Sequence, residues 1–396
     1  MNKLIFNTLI IVLFFLFACK EQKTKNKIDA QNLITINNPV KISLEDFFIN
    51  IDTIRLEAND ESIMSSILQM HIMNNKFYIL TNNFMVVNIF NSEGKHISKI
   101  DDRGQGPTEY VRITSFEVDK INKRIILADS FSRRIFIYDE EGNQTSVINL
   151  DFEPMVILPH KRGFVNIYSG PRNIYIKPEM ENYNIHFLDT DGKFISSAIE
   201  VKIPKRIDVG SAFKTDCLTN GDILFQPILS EVVYKIDQNM NVIPFYRFEN
   251  ISQYKLVSQK DKNNFQTIHG KKNSFEEKEP DNYLLTWGEI QNLNNFTFFG
   301  FSGWNKRIYL YYSKQTSNTL LINVDNVIGN KSLKEVFLTY PKSVDGDKFY
   351  ISPHPIIIEN IKDNLPNGAI RTFFENTSFD SNPVLISFSI EFPESK

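Results

Sequence analysis

The segment at residues 104–110 (GQGPTEY) has the residue types best suited to contacting a ligand. Its two glycines and its proline fix a tight loop, because glycine adopts backbone conformations that other residues avoid. This loop presents Arg103, Glu109 and Tyr110, which are therefore candidate ligand-binding residues. It is not a phosphate-binding loop, since no Lys-Ser/Thr pair follows it and no strand-then-helix pattern surrounds it. The alternative is that Glu109 and Tyr110 hydrogen-bond the loop and join neighbouring parts of the fold.

The sequence contains no linear motif of a catalytic or metal centre. It lacks HExxH, CxxC, GxSxG and an Asp-rich calcium loop of EF-hand spacing. The histidines are scattered along the chain, at positions 71, 96, 160, 186, 269 and 354. The motifs therefore predict no cofactor, no metal ligand and no catalytic residue, although a fold that gathers side chains from distant segments can still assemble a site.

Four segments share an apolar strand pattern followed by a polar tight turn. They lie at residues 88–94 (NIFNSEG), 136–142 (FIYDEEG), 186–192 (HFLDTDG) and 234–240 (YKIDQNM). Their last residues follow one another at steps of 48, 50 and 48, which is the period of a four-stranded propeller blade. The sequence therefore predicts an all-β fold, namely a six-bladed β-propeller with four-stranded antiparallel blades.

The predicted propeller occupies residues 41–396. It is interrupted at about residues 250–281 by a strongly polar insertion, which we expect to lie on one face of the disc. An early strand at residues 53–56 (TIRL) could pair with a strand within residues 383–392. Such a pair would close the ring without leaving an exposed blade edge.

The N-terminus predicts export and lipidation. Lys3 precedes an apolar run at residues 9–18 that stops at Cys19, which is typical of a secretory signal peptide over residues 1–18. The sequence LFAC resembles the bacterial lipobox, so Cys19 is predicted to be acylated and to start a flexible tether over residues 19–40. The predicted location is the cell envelope, as an outer-membrane lipoprotein that is surface-exposed or periplasmic. An ordinary signal peptide or a single membrane anchor is the alternative.

Composition agrees with a β-rich extracytoplasmic domain. The chain is 42% hydrophobic and 13% aromatic, and its net charge of −3 argues against a basic face for nucleic acid. Cysteine occurs only at positions 19 and 217. If Cys19 carries lipid, Cys217 has no partner for a disulfide, and we expect it to be a small buried hydrophobic residue.

The chain resembles the six-bladed β-propeller lipoproteins of Bacteroidota, which are built from NHL-like blades. Four motifs carry the resemblance, at residues 54–63 (IRLEANDESI), 102–110 (DRGQGPTEY), 230–237 (SEVVYKID) and 381–385 (SNPVL). Residues 127–138 (LADSFSRRIFIY) are similar to the NHL-type repeat. The resemblance implies that Asp129 caps a turn and that Arg134 crosses to a neighbouring strand. It implies a fold and a location but no activity.

Three functions remain open. The first is a non-catalytic binding module for a glycan, a peptide or an envelope partner; Trp287, Trp304, Tyr311 and Tyr312 could stack on sugar rings or pack in blade cores. The second is a polysaccharide hydrolase or lyase, which predicts clustered carboxyl groups with shifted pKa values at the central channel. The third is a structural subunit of an envelope complex. Arg103, Glu109 and Tyr110 should face the channel in the first two cases and be buried between blades in the third.

Overall fold

The computed structural model describes residues 30–81, 83–168, 176–200, 214–227, 230–250, 255–256, 283–284, 289–303, 306–377 and 381–392. The predicted signal peptide and Cys19 lie outside these ranges, as does most of the predicted insertion at residues 250–281. None of the helices within the described ranges has the length and apolar character needed to cross a bilayer.

The chain forms six blades of four antiparallel strands, which confirms the predicted propeller. The first blade contains β3 (Ile67–Met73), β4 (Lys76–Thr81), β5 (Val87–Asn91) and β6 (His96–Ile100), and the second contains β7 (Ser115–Asp119), β8 (Arg124–Asp129), β9 (Arg134–Asp139) and β10 (Gln144–Asn149). The third contains β11 (Val156–His160), β12 (Gly163–Ile167), β13 (Tyr183–Leu188) and β14 (Phe194–Glu200), and the fourth contains β15 (Lys214–Cys217), β16 (Ile223–Gln226), β17 (Val232–Ile236) and β18 (Val242–Asn250). The fifth contains β21 (Ile290–Asn292), β22 (Phe296–Gly303), β23 (Lys306–Ser313) and β24 (Thr319–Asn323), and the sixth contains β25 (Ser343–Asp345), β26 (Lys348–Ile351), β27 (Val384–Ile390) and β2 (Phe48–Arg55).

A few elements lie outside this repeat. The short strands β19 (Lys255–Leu256) and β20 (Tyr283–Leu284) pair in parallel. The helices are α1 (Leu44–Phe47), α2 (Lys331–Phe337), α3 (Pro355–Ile361) and α4 (Ala369–Glu375), with 3₁₀ turns at Pro178–Met180, Val324–Asn326 and Lys362–Asn364. The sequence pattern did not predict α2, α3 or α4. They pack their apolar residues, such as Phe337, Ile358 and Phe374, on the core shared by the fifth and sixth blades.

The four repeated turn segments build the same hairpin at the outer edge of each of the first four blades. The fourth residue of each segment is Asn91, Asp139, Asp189 or Asp237, and its side-chain oxygen accepts hydrogen bonds from the backbone N–H groups two and four residues later, at 2.8–3.0 Å. Short polar side chains favour such turns because they satisfy backbone donors locally. The periodic sequence signal is therefore a turn-capping residue that follows a buried strand.

The ring closes between the two ends of the chain. Strand β2 pairs with β27 so that Ile54 lies opposite Leu385 and Arg55 opposite Val384, which confirms the expected pairing of residues 53–56. The side chain of Asn382, 2% exposed, extends this seam beyond the strands. The first-to-last pairing leaves no open blade edge at the seam.

The predicted tether is corrected at its C-terminal end. Strand β1 (Asn32–Ile36) lies within the range predicted to be flexible, yet it pairs in parallel with β18 and adds a fifth strand to the fourth blade. Ile34 and Ile36 are fully buried there, against Tyr246 and Phe248. Two isoleucines at alternate positions are enough to fix a short strand on an existing edge, since they place both side chains on one face.

The two faces of the disc differ in the length of their connections. In an antiparallel blade, the hairpins that join the first to the second strand and the third to the fourth lie on one face, which we call the turn face. These connections contain two to five residues. The other connections lie on the opposite face, which we call the loop face, and they include the helical segments at residues 324–342 and 352–383.

Candidate functional site

The innermost strands of the blades surround a central channel with a cavity of about 960 Å³. Residues of β3, β7, β15, β21 and β25 line it, together with loop residues at both ends. Many of the lining side chains are polar or charged; they are Gln69, His71, Glu117, Lys120, Thr215, Asp216, Thr219, Glu289, Gln291, Asn292, Asn294, Lys314, Lys342, Ser343 and Asp345. The channel therefore brings together residues that are far apart in the sequence.

His71 and Glu117 form a pair between the first two blades at mid-depth in the channel. Nδ1 of His71 lies 3.1 Å from Oε1 of Glu117. Burial lowers the pKa of His71 to about 3 and raises the pKa of Glu117 to about 8. At neutral pH the pair therefore holds one proton between the imidazole and the carboxyl group. Nε2 of His71 lies 3.0 Å from Nε2 of Gln69 and 3.3 Å from the carbonyl oxygen of Phe116, to which the Gln69 amide also donates at 3.0 Å.

A second carboxyl group with a shifted pKa enters the channel from the fourth blade. Asp216 lies on β15, and its Oδ2 accepts a hydrogen bond of 2.6 Å from the backbone N–H of Asn292 on β21. Burial raises the pKa of Asp216 to about 7, against the opposing effects of this hydrogen bond and of Lys120, while Glu117 raises it further. The channel thus contains clustered carboxyl groups with shifted pKa values, the arrangement expected if it were an enzyme site.

Three lysines line the same channel. Lys120 and Lys314 lie in hairpins of the turn face, and Lys342 lies just before β25 at the loop-face end. Nζ of Lys314 donates a hydrogen bond to the carbonyl oxygen of Leu293. Burial lowers the pKa of both Lys314 and Lys342. Positive charge is therefore present at both ends of the channel.

A side cavity of about 420 Å³ adjoins the channel at the turn face. It shares Val118, Lys120 and Cys217 with the channel, and His160 and Lys161 line its other side. Cys217 is half-buried and is free of any disulfide. Burial raises the pKa of its thiol well above the ordinary range, so the group is a poor nucleophile.

The structure places the three residues proposed from the sequence away from this channel lining. Tyr110 is fully buried between the first two blades, and its hydroxyl lies 2.7 Å from the carbonyl oxygen of Met85 and 3.3 Å from that of Ile100. Glu109 closes its own loop, since Oε2 accepts a hydrogen bond of 2.8 Å from the backbone N–H of Gly106. The contacts of both residues match the structural alternative, in which they hydrogen-bond the loop and join adjacent blades.

Arg103 is the exposed member of that set. Its guanidinium pairs with the carboxylate of Asp101, with Nη2 donating to Oδ2 at 2.9 Å. This pairing raises the pKa of Arg103 further above its already high value. Ligand contact through Arg103 or Glu109 stays a prediction.

Other residues singled out in the sequence have structural contacts. Asp129 caps its turn, accepting from the backbone N–H groups of Phe131 and Val111, and Arg134 donates from Nη1 to the carbonyl oxygen of Gly106 at 2.8 Å. Tyr311 and Tyr312 are buried in blade cores, at 3% and 4% exposure, so their rings cannot stack on a sugar at the surface. Trp287 and Trp304 lie outside the described residues. Within the described ranges, no group of three or more His, Cys, Asp or Glu side chains is placed to hold a metal ion.

No local sequence pattern marks Glu117 or Asp216, and neither was predicted as a site residue. Glu117 lies in SFEVD, where alternation would assign any polar residue to an exposed face. In the innermost strand of a blade, that face is the channel. What the two residues share in the sequence is their position, since each is an acidic residue in the first strand of its repeat.

Solved structures that are similar to this fold include two from Bacteroides species. A protein of Bacteroides fragilis NCTC 9343, described as a candidate exported protein, aligns with a TM-score of 0.74 and 13% identity, covering 91% of this chain and 100% of that chain. A member of the DUF4221 family from Bacteroides vulgatus ATCC 8482 aligns with a TM-score of 0.54 and 11% identity, covering 88% of this chain and 99% of that chain. No curated protein matches the sequence. The model of a family described as a domain of unknown function, DUF4934, matches residues 26–389, and because this match takes in most of the chain, the protein belongs to the DUF4934 family.

Proposed function

We propose that this protein is a binding module of the cell envelope and that its ligand-binding site is the central channel. The observation that carries the proposal is the polar lining supplied by five blades around a cavity of about 960 Å³. Concave sites with a few convergent polar groups are the usual form of ligand sites. Amide and hydroxyl side chains such as Gln69, Asn294 and Ser343 can both donate and accept hydrogen bonds, which suits the hydroxyl groups of a glycan.

The proposed location is the outer membrane, with attachment through a lipid on Cys19. The apolar run that ends at Cys19 supports this, and so does the description of the similar Bacteroides fragilis protein as a candidate exported protein. Two or more acyl chains would tether the protein stably, whereas one would bind only weakly. Metabolic labelling with a fatty-acid analogue should mark the wild-type protein but not Cys19→Ala, and labelling of both would refute lipidation at this residue.

A glycan array probed with the detergent-solubilised full-length protein tests the binding role. Leu68 is 37% exposed and lines the channel, so Leu68→Trp should narrow the cavity without disturbing the core. Ile97 is 45% exposed on the outer strand β6, and Ile97→Trp is the matched control. We expect wild type and Ile97→Trp to bind the same saccharides and Leu68→Trp to lose them. Equal binding by wild type and both variants would mean that the site lies outside the channel. An absence of binding by all three proteins would contradict glycan recognition.

An acid–base enzyme is the second candidate, and a specific observation favours it. The His71–Glu117 pair holds a proton at neutral pH, and Asp216, with a pKa of about 7, can accept one in the same channel. Hydrolysis or elimination of a polysaccharide needs one group that donates a proton and one group that accepts a proton. Release of new chain ends from a polysaccharide by wild type, with loss in Glu117→Gln and in Asp216→Asn, would establish the enzyme. Binding without product formation would leave the protein as a binding module.

A further inference from the structure

We propose that the turn-face end of the channel is an anion subsite built around Lys120, so that the ligand is an acidic saccharide with a uronate-type carboxylate at that end. This inference rests on the proposed function of the channel. It names the class of ligand that the channel selects.

The side chain of Lys120 makes no hydrogen bond or ion pair within the described residues. Its side chain is exposed and lines both the channel and the side cavity. The acid beside it, Asp119, is already engaged, because its carboxylate accepts from the backbone of Ile121 and Asn122 and forms an ion pair of 2.9 Å with Arg124. The ammonium group of Lys120 is therefore free to meet an anion in the channel.

The carboxyl groups of Glu117 and Asp216, beside Lys120, do not cancel its charge fully. Glu117 and Asp216 are close enough for Lys120 to lower their pKa values, yet burial outweighs it and raises both, to about 8 and about 7. At neutral pH Glu117 is therefore mostly protonated and Asp216 only partly ionised. The remaining acid that lines this end is Asp345, at the turn-face end of β25.

A second lysine lies at the turn-face end of the channel. Lys314, in the hairpin between β23 and β24, lines the channel, and its ammonium group is held in place by the carbonyl oxygen of Leu293. The acid near it, Asp347, does not line the channel; its carboxylate accepts hydrogen bonds from the backbone N–H and Nδ2 of Asn295, at 2.8 and 2.7 Å. Among the side chains that line this end, the two lysines outweigh Asp345 and the partly ionised Asp216, and this positive balance attracts an anion.

Neutral hydrogen-bonding side chains line the channel together with the lysines. Asn294 and Thr219, both in hairpins of the turn face, also line the channel, as does Gln291 on β21. A saccharide supplies hydroxyl groups for these side chains as well as a carboxylate for Lys120. An acidic peptide would supply carboxylates but few hydroxyl groups, so the lining favours the saccharide.

Calorimetric titration of the detergent-solubilised full-length protein with trigalacturonate, with its methyl ester and with a hexaglutamate peptide tests the inference. The variants are Lys120→Gln, Lys120→Arg, which keeps the charge, and Lys123→Gln. Lys123 lies in the same hairpin, is exposed and lines neither cavity, so Lys123→Gln is a matched control with the same loss of charge. Thermal melting checks that each variant is folded.

We expect wild type, Lys120→Arg and Lys123→Gln to bind trigalacturonate with similar affinity, and Lys120→Gln to bind about tenfold more weakly. The methyl ester should bind more weakly than the acid to wild type. If the ester binds as tightly as the acid, or if Lys120→Gln binds the acid as wild type does, the anion subsite is refuted while the channel remains a saccharide site. Tighter binding of hexaglutamate would overturn the saccharide class. If no saccharide binds wild type here or on the glycan array, both proposals fall.

Discussion

Asn382 and Met64 lie 318 positions apart, and a hydrogen bond of 2.8 Å from the backbone N–H of Met64 to Oδ1 of Asn382 joins them across the seam of the ring. The same side chain donates from Nδ2 to the carbonyl oxygens of Glu57 and Ser62, at 2.6 and 3.0 Å. One buried amide thus ties the loop after β2 to the segment before β27. The sequence motifs at residues 54–63 and 381–385 meet at this point.

Asn382→Ala should destabilise the whole propeller, because it leaves the backbone N–H of Met64 and the carbonyl oxygen of Ser62 unpaired at the closure, whereas the carbonyl oxygen of Glu57 keeps the Ser62 hydroxyl as a donor. Each buried group left without a partner costs about 1–3 kcal/mol, so we expect the free energy of unfolding in urea to fall by at least about 2 kcal/mol. Asn376→Ala is the control, since the Asn376 side chain is exposed and bonds only within its own turn. Equal stability of the two variants would show that the seam does not depend on Asn382.

Tyr110→Phe tests whether the loop at residues 102–110 joins the first two blades. The substitution removes a buried hydroxyl that lies 2.7 Å from the carbonyl oxygen of Met85. We expect a loss of about 1–2 kcal/mol in the free energy of unfolding, and a larger loss for Tyr110→Ala, which also leaves a cavity. Tyr183→Phe, at a tyrosine that is 37% exposed, should change little. No loss in Tyr110→Phe would argue that this hydroxyl does not hold the blades together.

Asp216→Asn should change how stability depends on pH. Burial raises the pKa of Asp216 from 3.8 to about 7 in the folded protein, so the folded state holds this proton more tightly than the unfolded chain. The contribution of Asp216 to stability is therefore present below about pH 4 and is lost as the pH rises to about 7. Asp216→Asn cannot ionise, and it should exceed wild type by about 1–2 kcal/mol at pH 8.

Urea unfolding of wild type and Asp216→Asn at pH 4, 6 and 8 checks this prediction. Asp345→Asn is the control, because Asp345 lines the same channel but is exposed. The gap between Asp216→Asn and wild type should widen with pH, while Asp345→Asn should track wild type. A constant gap at all three pH values would show that the Asp216 carboxyl does not keep its proton in the fold.

The fold could be predicted from the sequence because the blades repeat the same capped hairpin. A side-chain oxygen of Asn91, Asp139, Asp189 or Asp237 caps a hairpin just after a buried strand, and both the capping residue and the strand are visible in the sequence. The sixth blade has no such signal, since its third and fourth strands, β27 and β2, come from opposite ends of the chain and no hairpin joins them. Strand β1 also carries no repeat signal, because a strand of five residues on the edge of a blade buries only two isoleucines.

The site was not readable from local patterns. The glycines and the proline of residues 104–110 indicate a tight loop, which predicts a ligand-binding site. In the structure, however, that loop packs between blades through Tyr110. His71, Glu117 and Asp216 come from three blades, and only the closed ring brings them to one channel. An acidic residue in an innermost strand can be recognised as a channel residue only after the repeats have been aligned and that strand has been placed next to the central channel.

Chemical labelling of lysines in the presence of trigalacturonate would locate the ligand on the unmodified protein and so test whether the channel is the binding site. Mass spectrometry would follow acetylation of Lys120 and Lys342, which line the channel, and of Lys95 and Lys123, which do not. We predict that the saccharide slows labelling of Lys120 and Lys342 and leaves Lys95 and Lys123 unchanged. Protection of Lys95 or Lys123 with no protection in the channel would contradict the assignment of the channel as the binding site.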